Sequence, residues 1–127
     1  MKQQITSDAA PAAVGPYSQG IAARGELVFV SGQLPIDVRS GAMPNTVEEQ
    51  AEQSLQNVQA VLEAAELSLK DVVKTTVFLQ DMGAFAQVNE VYARFFEGTV
   101  FPARVAIEVA KLPLGALVEI EAIAVRK

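Results

Sequence analysis

An α+β fold, in which a mixed sheet carries two helices on one of its faces, is predicted by three observations on the sequence. Strand-like and helix-like segments follow in the order strand, strand, helix, strand, helix, strand, strand. The two helical segments are amphipathic and need an apolar surface to bury one side. The last two strands are apolar at both parities, with Val105, Ile107 and Val109 in one and Leu117, Ile123 and Val125 in the other, so the sheet needs cover on both faces.

Each element has its own signal. Residues 9–20, AAPAAVGPYSQG, are rich in Ala, Gly and Pro and read as an extended or looped segment that holds Tyr17. ELVFVSGQLPID follows as a strand ending at Ser31 and Gly32, where the glycine lets backbone N–H groups approach a ligand. Thr46 with Glu49 three residues on forms a capping box, and Val47, Ala51, Leu55, Val58, Leu62 and Ala65 continue at helical spacing, so a helix is predicted to end near Leu67. KDVVKTTVFL, Lys70 to Leu79, is β-branched and apolar enough for a buried strand. Asp81 is placed to cap the second helix, whose buried stripe is Phe85, Val88, Tyr92 and Phe95.

The segment FPARVAIEVAKLP sets Arg104 at the start of an apolar strand, and LVEIEAIAV follows with Glu119 and Glu121 at alternating positions. Paired as an antiparallel hairpin, the two strands are expected to bring Arg104 and Glu108 onto one surface with Glu119 and Glu121. An arginine fork matches a carboxylate in shape, and a neighbouring glutamate can move protons, so the pattern points to a site for a small organic acid.

Composition narrows the remaining possibilities. Residues 1–127, half of them hydrophobic, read as a single domain with no linker or low-complexity stretch. The net charge of −5 and the lack of a Lys/Arg run disfavour a nucleic-acid partner. No stretch approaches the ~20 apolar residues that span a bilayer, and MKQQITSDAAPAAV lacks a secretory apolar core, so no membrane association and a cytoplasmic location are expected. Cys and His are both absent, which removes thiolate nucleophiles, Ser-His-Asp triads and the usual zinc ligands. No metal is expected. Without GxGxxG or GxxxxGK[ST], no cofactor is expected either. The uncovered sheet face predicts self-association, with a ligand site at the seam.

In order along the chain, APAAVGPYSQG, VSGQLPID, AEQSLQNVQAVLEAA, DVVKTTVFLQD, FFEGTVFPARVAIEVAKLP and EIEAIAV closely resemble the reactive-intermediate deaminase family, also called RidA or YjgF. The resemblance covers nearly the whole chain. It implies a chorismate-mutase-like α+β fold and a homotrimer with clefts between subunits. It also implies hydrolysis of 2-enamino and 2-imino acids, such as 2-aminoacrylate/2-iminopropanoate and 2-iminobutanoate, to 2-keto acids and ammonia.

Carried over motif by motif, the resemblance makes Arg104 of FPAR the clamp for the substrate carboxylate and Glu119 of EIEAIAV the residue that positions or activates water. Tyr17 of GPYSQG lines the cleft, and Ser31 and Gly32 of SGQ shape its wall. Asn89 of QVNEVY also matches, at a helix position that suits a structural role. Ala106 departs from the pattern, since many members have cysteine there, which leaves only its backbone carbonyl to meet the imino nitrogen. EGTV is shorter than the corresponding connection in some relatives, which bears on the cleft rim. A second reading is a non-catalytic module that binds a 2-keto acid or another small metabolite in the same cleft. The ribonuclease role attached to some members is opposed by the acidic balance and the absence of His.

Overall fold

The structure, a computed structural model, describes residues 2–127. Its strands are β1 (Lys2–Ile5), β2 (Gly20–Ala23), β3 (Glu26–Gln33), β4 (Val72–Leu79), β5 (Ala103–Glu108) and β6 (Val118–Arg126); the helices are α1 (Val47–Ala64) and α2 (Phe85–Phe95). β1 and β2 form a small antiparallel sheet, and the main sheet has the order β3-β6-β4-β5. β6 is antiparallel to both β3 and β4, whereas β5 runs parallel to β4. This is the predicted α+β class.

Both helices lie on one face of the main sheet. Leu55, Val58 and Leu62 of α1, with Val88, Val91 and Tyr92 of α2, pack on Val77 and Leu79 of β4 and on Val118 and Ile120 of β6. Thr46 caps α1 as predicted, its hydroxyl accepting from Glu49 N at 3.2 Å, but the reciprocal half of the box is replaced, because the Glu49 carboxylate accepts from the Thr46 hydroxyl at 3.1 Å and not from its backbone N–H. Gln50 ties α1 to the segment entering β6 by accepting from Leu117 N at 2.8 Å while donating to Pro44 O at 2.9 Å.

α1 stops earlier than the spacing predicts. Ala65 is its C-cap, Glu66 takes φ +61°, and Leu67 N donates back to Leu62 O at 2.8 Å. This is a left-handed helix stop with Glu where glycine is usual, so the sequence carries no stop signal and the apolar period runs on into Leu67. Asp81 likewise caps a short 3₁₀ turn, Met82–Ala84, accepting from Gly83 N, and the turn leads directly into α2.

The predicted hairpin between the last two strands does not form. β4 lies between them, because the α2 crossover returns the chain parallel to β4 and β6 takes the central place beside β3. On β4, Thr75 pairs with Arg104 and Ala122, whereas Phe78 pairs with Ile107 and Glu119. Directly paired residues share a face and neighbours on a strand alternate. Arg104, Ala106 and Glu108 therefore stand on the helix side, and Glu119 and Glu121 stand on the other. Glu108 accepts from Met82 N at 2.9 Å, and Glu121 accepts from the Thr76 hydroxyl at 2.9 Å; both serve the local structure.

The face away from the helices is uncovered and apolar, with Leu27, Phe29, Val105 and Ile107 all exposed and Phe29 at 67%. Among the described residues no helix is long and apolar enough to cross a membrane.

Candidate active site

The loop before β2 is strapped to the start of β5. Ser18 N donates to Pro102 O at 3.1 Å, and the Ser18 hydroxyl donates to Phe101 O at 2.5 Å. The strap carries Tyr17 to Arg104, one residue beyond the bridge that Ser18 makes with Ala103. Val14, Gly15, Tyr17, Phe85, Asn89, Arg104 and Ala106 line the resulting cavity of about 220 Å³.

Arg104 is half-buried in this cavity. Its Nη1 donates to Asn89 Oδ1 at 2.7 Å, and its guanidinium lies 5.0 Å from the ring centre of Tyr92, 5.4 Å from Phe85 and 5.5 Å from Tyr17. The ion pairs among the described residues join Arg39 to Asp37 and Arg126 to Glu26, and neither involves Arg104. Burial draws the Arg104 pKa down, against the attraction of the two tyrosine hydroxyls. Tyr92 is fully buried with its hydroxyl 2.7 Å from that of Thr75, and burial pushes its pKa up to about 12. An unpaired, partly desolvated guanidinium in a small cavity is a receptor for an anion.

The other predicted residues assemble elsewhere. β3 pairs Val30 with Ala122 and Gln33 with Ile120, so Ser31 and Gly32 together oppose Glu121 in a bulge. Glu119 leans over this bulge, and a Cβ built at Gly32 would collide with its carboxylate. Ser31 is exposed at the same place. Within one chain, then, Arg104, Tyr17, Asn89 and Ala106 form one group and Glu119, Ser31 and Gly32 form another across the sheet. This corrects the expectation that Arg104 and Glu119 share a surface of one chain, which depended on the hairpin pairing.

Four contributors are not legible in the sequence as site residues: Phe85 and Tyr92 read as core stripe alone, and Val14 and Gly15 read as loop. The available signal was Asn89, a polar residue at i+4 from Phe85 and i−3 from Tyr92, set on the same helix face.

Residues 7–126 match the family described as endoribonuclease L-PSP. The chain belongs to that family, which is the RidA/YjgF family. It is 50% identical to the 2-iminobutanoate/2-iminopropanoate deaminase of Salmonella typhimurium over 129 residues, covering all of both chains. Among solved structures it is similar to Escherichia coli TdcF with bound serine, at 46% identity and TM-score 0.79, covering 98% of this chain and 99% of that one. The E. coli YjgF gene product gives 49% identity, TM-score 0.79 and the same coverage. The RidA-family match thus runs over nearly the whole chain, and these structures share its two helices and mixed sheet.

Proposed function

We propose that this chain hydrolyses reactive 2-enamino and 2-imino acids to 2-keto acids and ammonia, in a site completed by a second copy of itself. The observation that carries this reading is the half-buried Arg104 guanidinium without a carboxylate partner among the described residues. Relatives about 50% identical over their full length are named for 2-iminobutanoate and 2-iminopropanoate deamination, which supplies the substrate class.

The roles follow from the groups present. Arg104, steadied by Asn89, holds the substrate carboxylate and so places the C=N carbon at the cavity mouth. Tyr17 and Ala106 wall the cavity. Glu119 accepts a proton from water as the oxygen adds to the C=N carbon, and the nitrogen takes up a proton. The carbinolamine then loses its C–N bond as Glu119 returns its proton to the leaving nitrogen and the hydroxyl proton passes to solvent, giving the 2-keto acid and ammonia. Positioning and one acid–base group, the latter commonly worth ~10²–10⁴-fold, suffice for a reaction that already proceeds in water.

Glu119 stands across the sheet from Arg104 in its own chain, so the glutamate that meets Arg104 comes from a neighbour. The exposed Leu27, Phe29, Val105 and Ile107 give that neighbour an apolar surface to cover, and a closed ring of three copies repeats the same contact three times.

Subunit mixing tests the whole scheme. In an assay coupled to a serine or threonine dehydratase, Arg104→Ala and Glu119→Gln are each inactive alone. Dissociated, mixed in equal amounts and reassociated, they recover about a quarter of wild-type activity, because each mixed ring of three carries one intact Arg104–Glu119 pairing. A mixture as inactive as its parents overturns the shared site. A non-catalytic binding module is the outcome if the wild type itself gives no acceleration while still taking up a 2-keto acid.

A further inference from the structure

Within one chain, every group that holds the Arg104 guanidinium is uncharged. Asn89 supplies an amide oxygen, and Phe85, Tyr92 and Tyr17 supply ring systems within 5.5 Å. A partly buried cation is ordinarily matched by a carboxylate, and none does so here among the described residues. Three of the four holders come from one face of α2, where Phe85, Asn89 and Tyr92 stand at i, i+4 and i+7. Tyr92 is fixed by full burial and by its hydroxyl contact with Thr75.

The choice of neutral partners has a chemical consequence. An aromatic face stabilises a cation through its quadrupole without occupying the N–H donors. A carboxylate in the same place would take the bidentate fork that a ligand carboxylate needs. One Nη1 donor goes to Asn89. On the Nη2 side stands Gly15, without a side chain, where a Cβ would lie 3.7 Å from the nitrogen.

We infer that Phe85 and Tyr92 are positioning residues that stabilise and orient Arg104 without neutralising it, keeping its fork open for the ligand's carboxylate. The inference rests on the deaminase reading for the identity of that ligand.

The decisive variant is Asn89→Asp, which keeps the oxygen that accepts from Nη1 and exchanges the amide NH2 for a second, charge-sharing oxygen. Binding of 2-oxobutanoate, a stable 2-keto acid, is measured by calorimetry on the full-length protein. Asn89→Asp is expected to fold with an unchanged or raised Tm while its affinity falls on the order of tenfold to hundredfold, with KM for the imino acid rising more than kcat falls. A purely structural contact between Asn89 and Arg104 would leave affinity intact. Phe85→Leu, a change at a half-buried position, is expected to weaken binding about two- to fivefold. Wild-type affinity in Asn89→Asp, or in Phe85→Leu, overturns the inference. A wild type that binds 2-oxobutanoate but never accelerates imine hydrolysis overturns the deaminase reading alone. A wild type that does not bind it overturns both.

Discussion

On the helix side of the sheet, Arg104 is gripped by Asn89 and surrounded by three aromatic rings, one of them fully buried. On the other side, Glu119 overlooks Gly32 beside exposed apolar residues that nothing within one chain covers. The first region is anchored in the core through Tyr92 and Thr75. The second is a surface. A single chain thus carries a guanidinium already seated in a cavity and, across the sheet, the carboxylate proposed above to move protons, which has no cavity of its own. Association is what would join them.

The largest effect is expected at Arg104. Arg104→Ala is expected to lower kcat/KM on the order of 10²–10³-fold, the cost of removing a charge-paired fork, and Arg104→Lys to lose about tenfold because a point charge cannot form two parallel bonds. Steady-state kinetics in the coupled assay decide this, and full activity in Arg104→Ala would remove the clamp.

Gly32→Ala addresses the opposite face. The added Cβ meets the far end of a flexible carboxylate rather than backbone, so the fold should lose less than about 1 kcal/mol. The displaced Glu119 should lower kcat roughly tenfold to hundredfold, with 2-oxobutanoate affinity unchanged. Equal damage to binding and turnover would show that the two regions are not separable as described.

Titration of Tyr92 tests whether the arginine side belongs to the core. Tyr92 titrates at about 12 in the fold against 10.0 ordinarily, so between these values the unfolded chain releases a proton that the folded one retains. Stability contributed by the neutral hydroxyl is therefore complete below pH 10 and is lost as pH rises towards 12, by about 2–3 kcal/mol. Tyr92→Phe should lack that part of the decline in denaturant titrations across this window. Parallel curves for the two proteins would mean that the hydroxyl is less secluded than its burial indicates.

Much of the fold was legible because its signals are local. Thr46 and Glu49 announce α1, Val47 to Leu62 mark its buried side, and Phe85 to Phe95 do the same for α2. Strand pairing is not local. Val105 and Ile107 look equally ready for a hairpin partner or a parallel one, and only the crossover through α2 decides the matter. That single pairing moved Glu119 to the far face while leaving its identity as a candidate untouched. Phe85 and Tyr92 were hidden for another reason. Aromatic residues at helical spacing are read as packing, and the guanidinium they surround lies on a strand distant in sequence.

The position of β6 has a bearing on how the molecule is made. It is one of the two interior strands of the main sheet, flanked by β3 and β4, yet it follows both in the chain, and Glu26 finds Arg126 across the pairing. During synthesis β3 and β4 must wait, each with an unfilled edge, until β6 emerges to sit between them. Such long-range closure slows folding, and it leaves nascent chains open to pairing with one another before their own centre arrives.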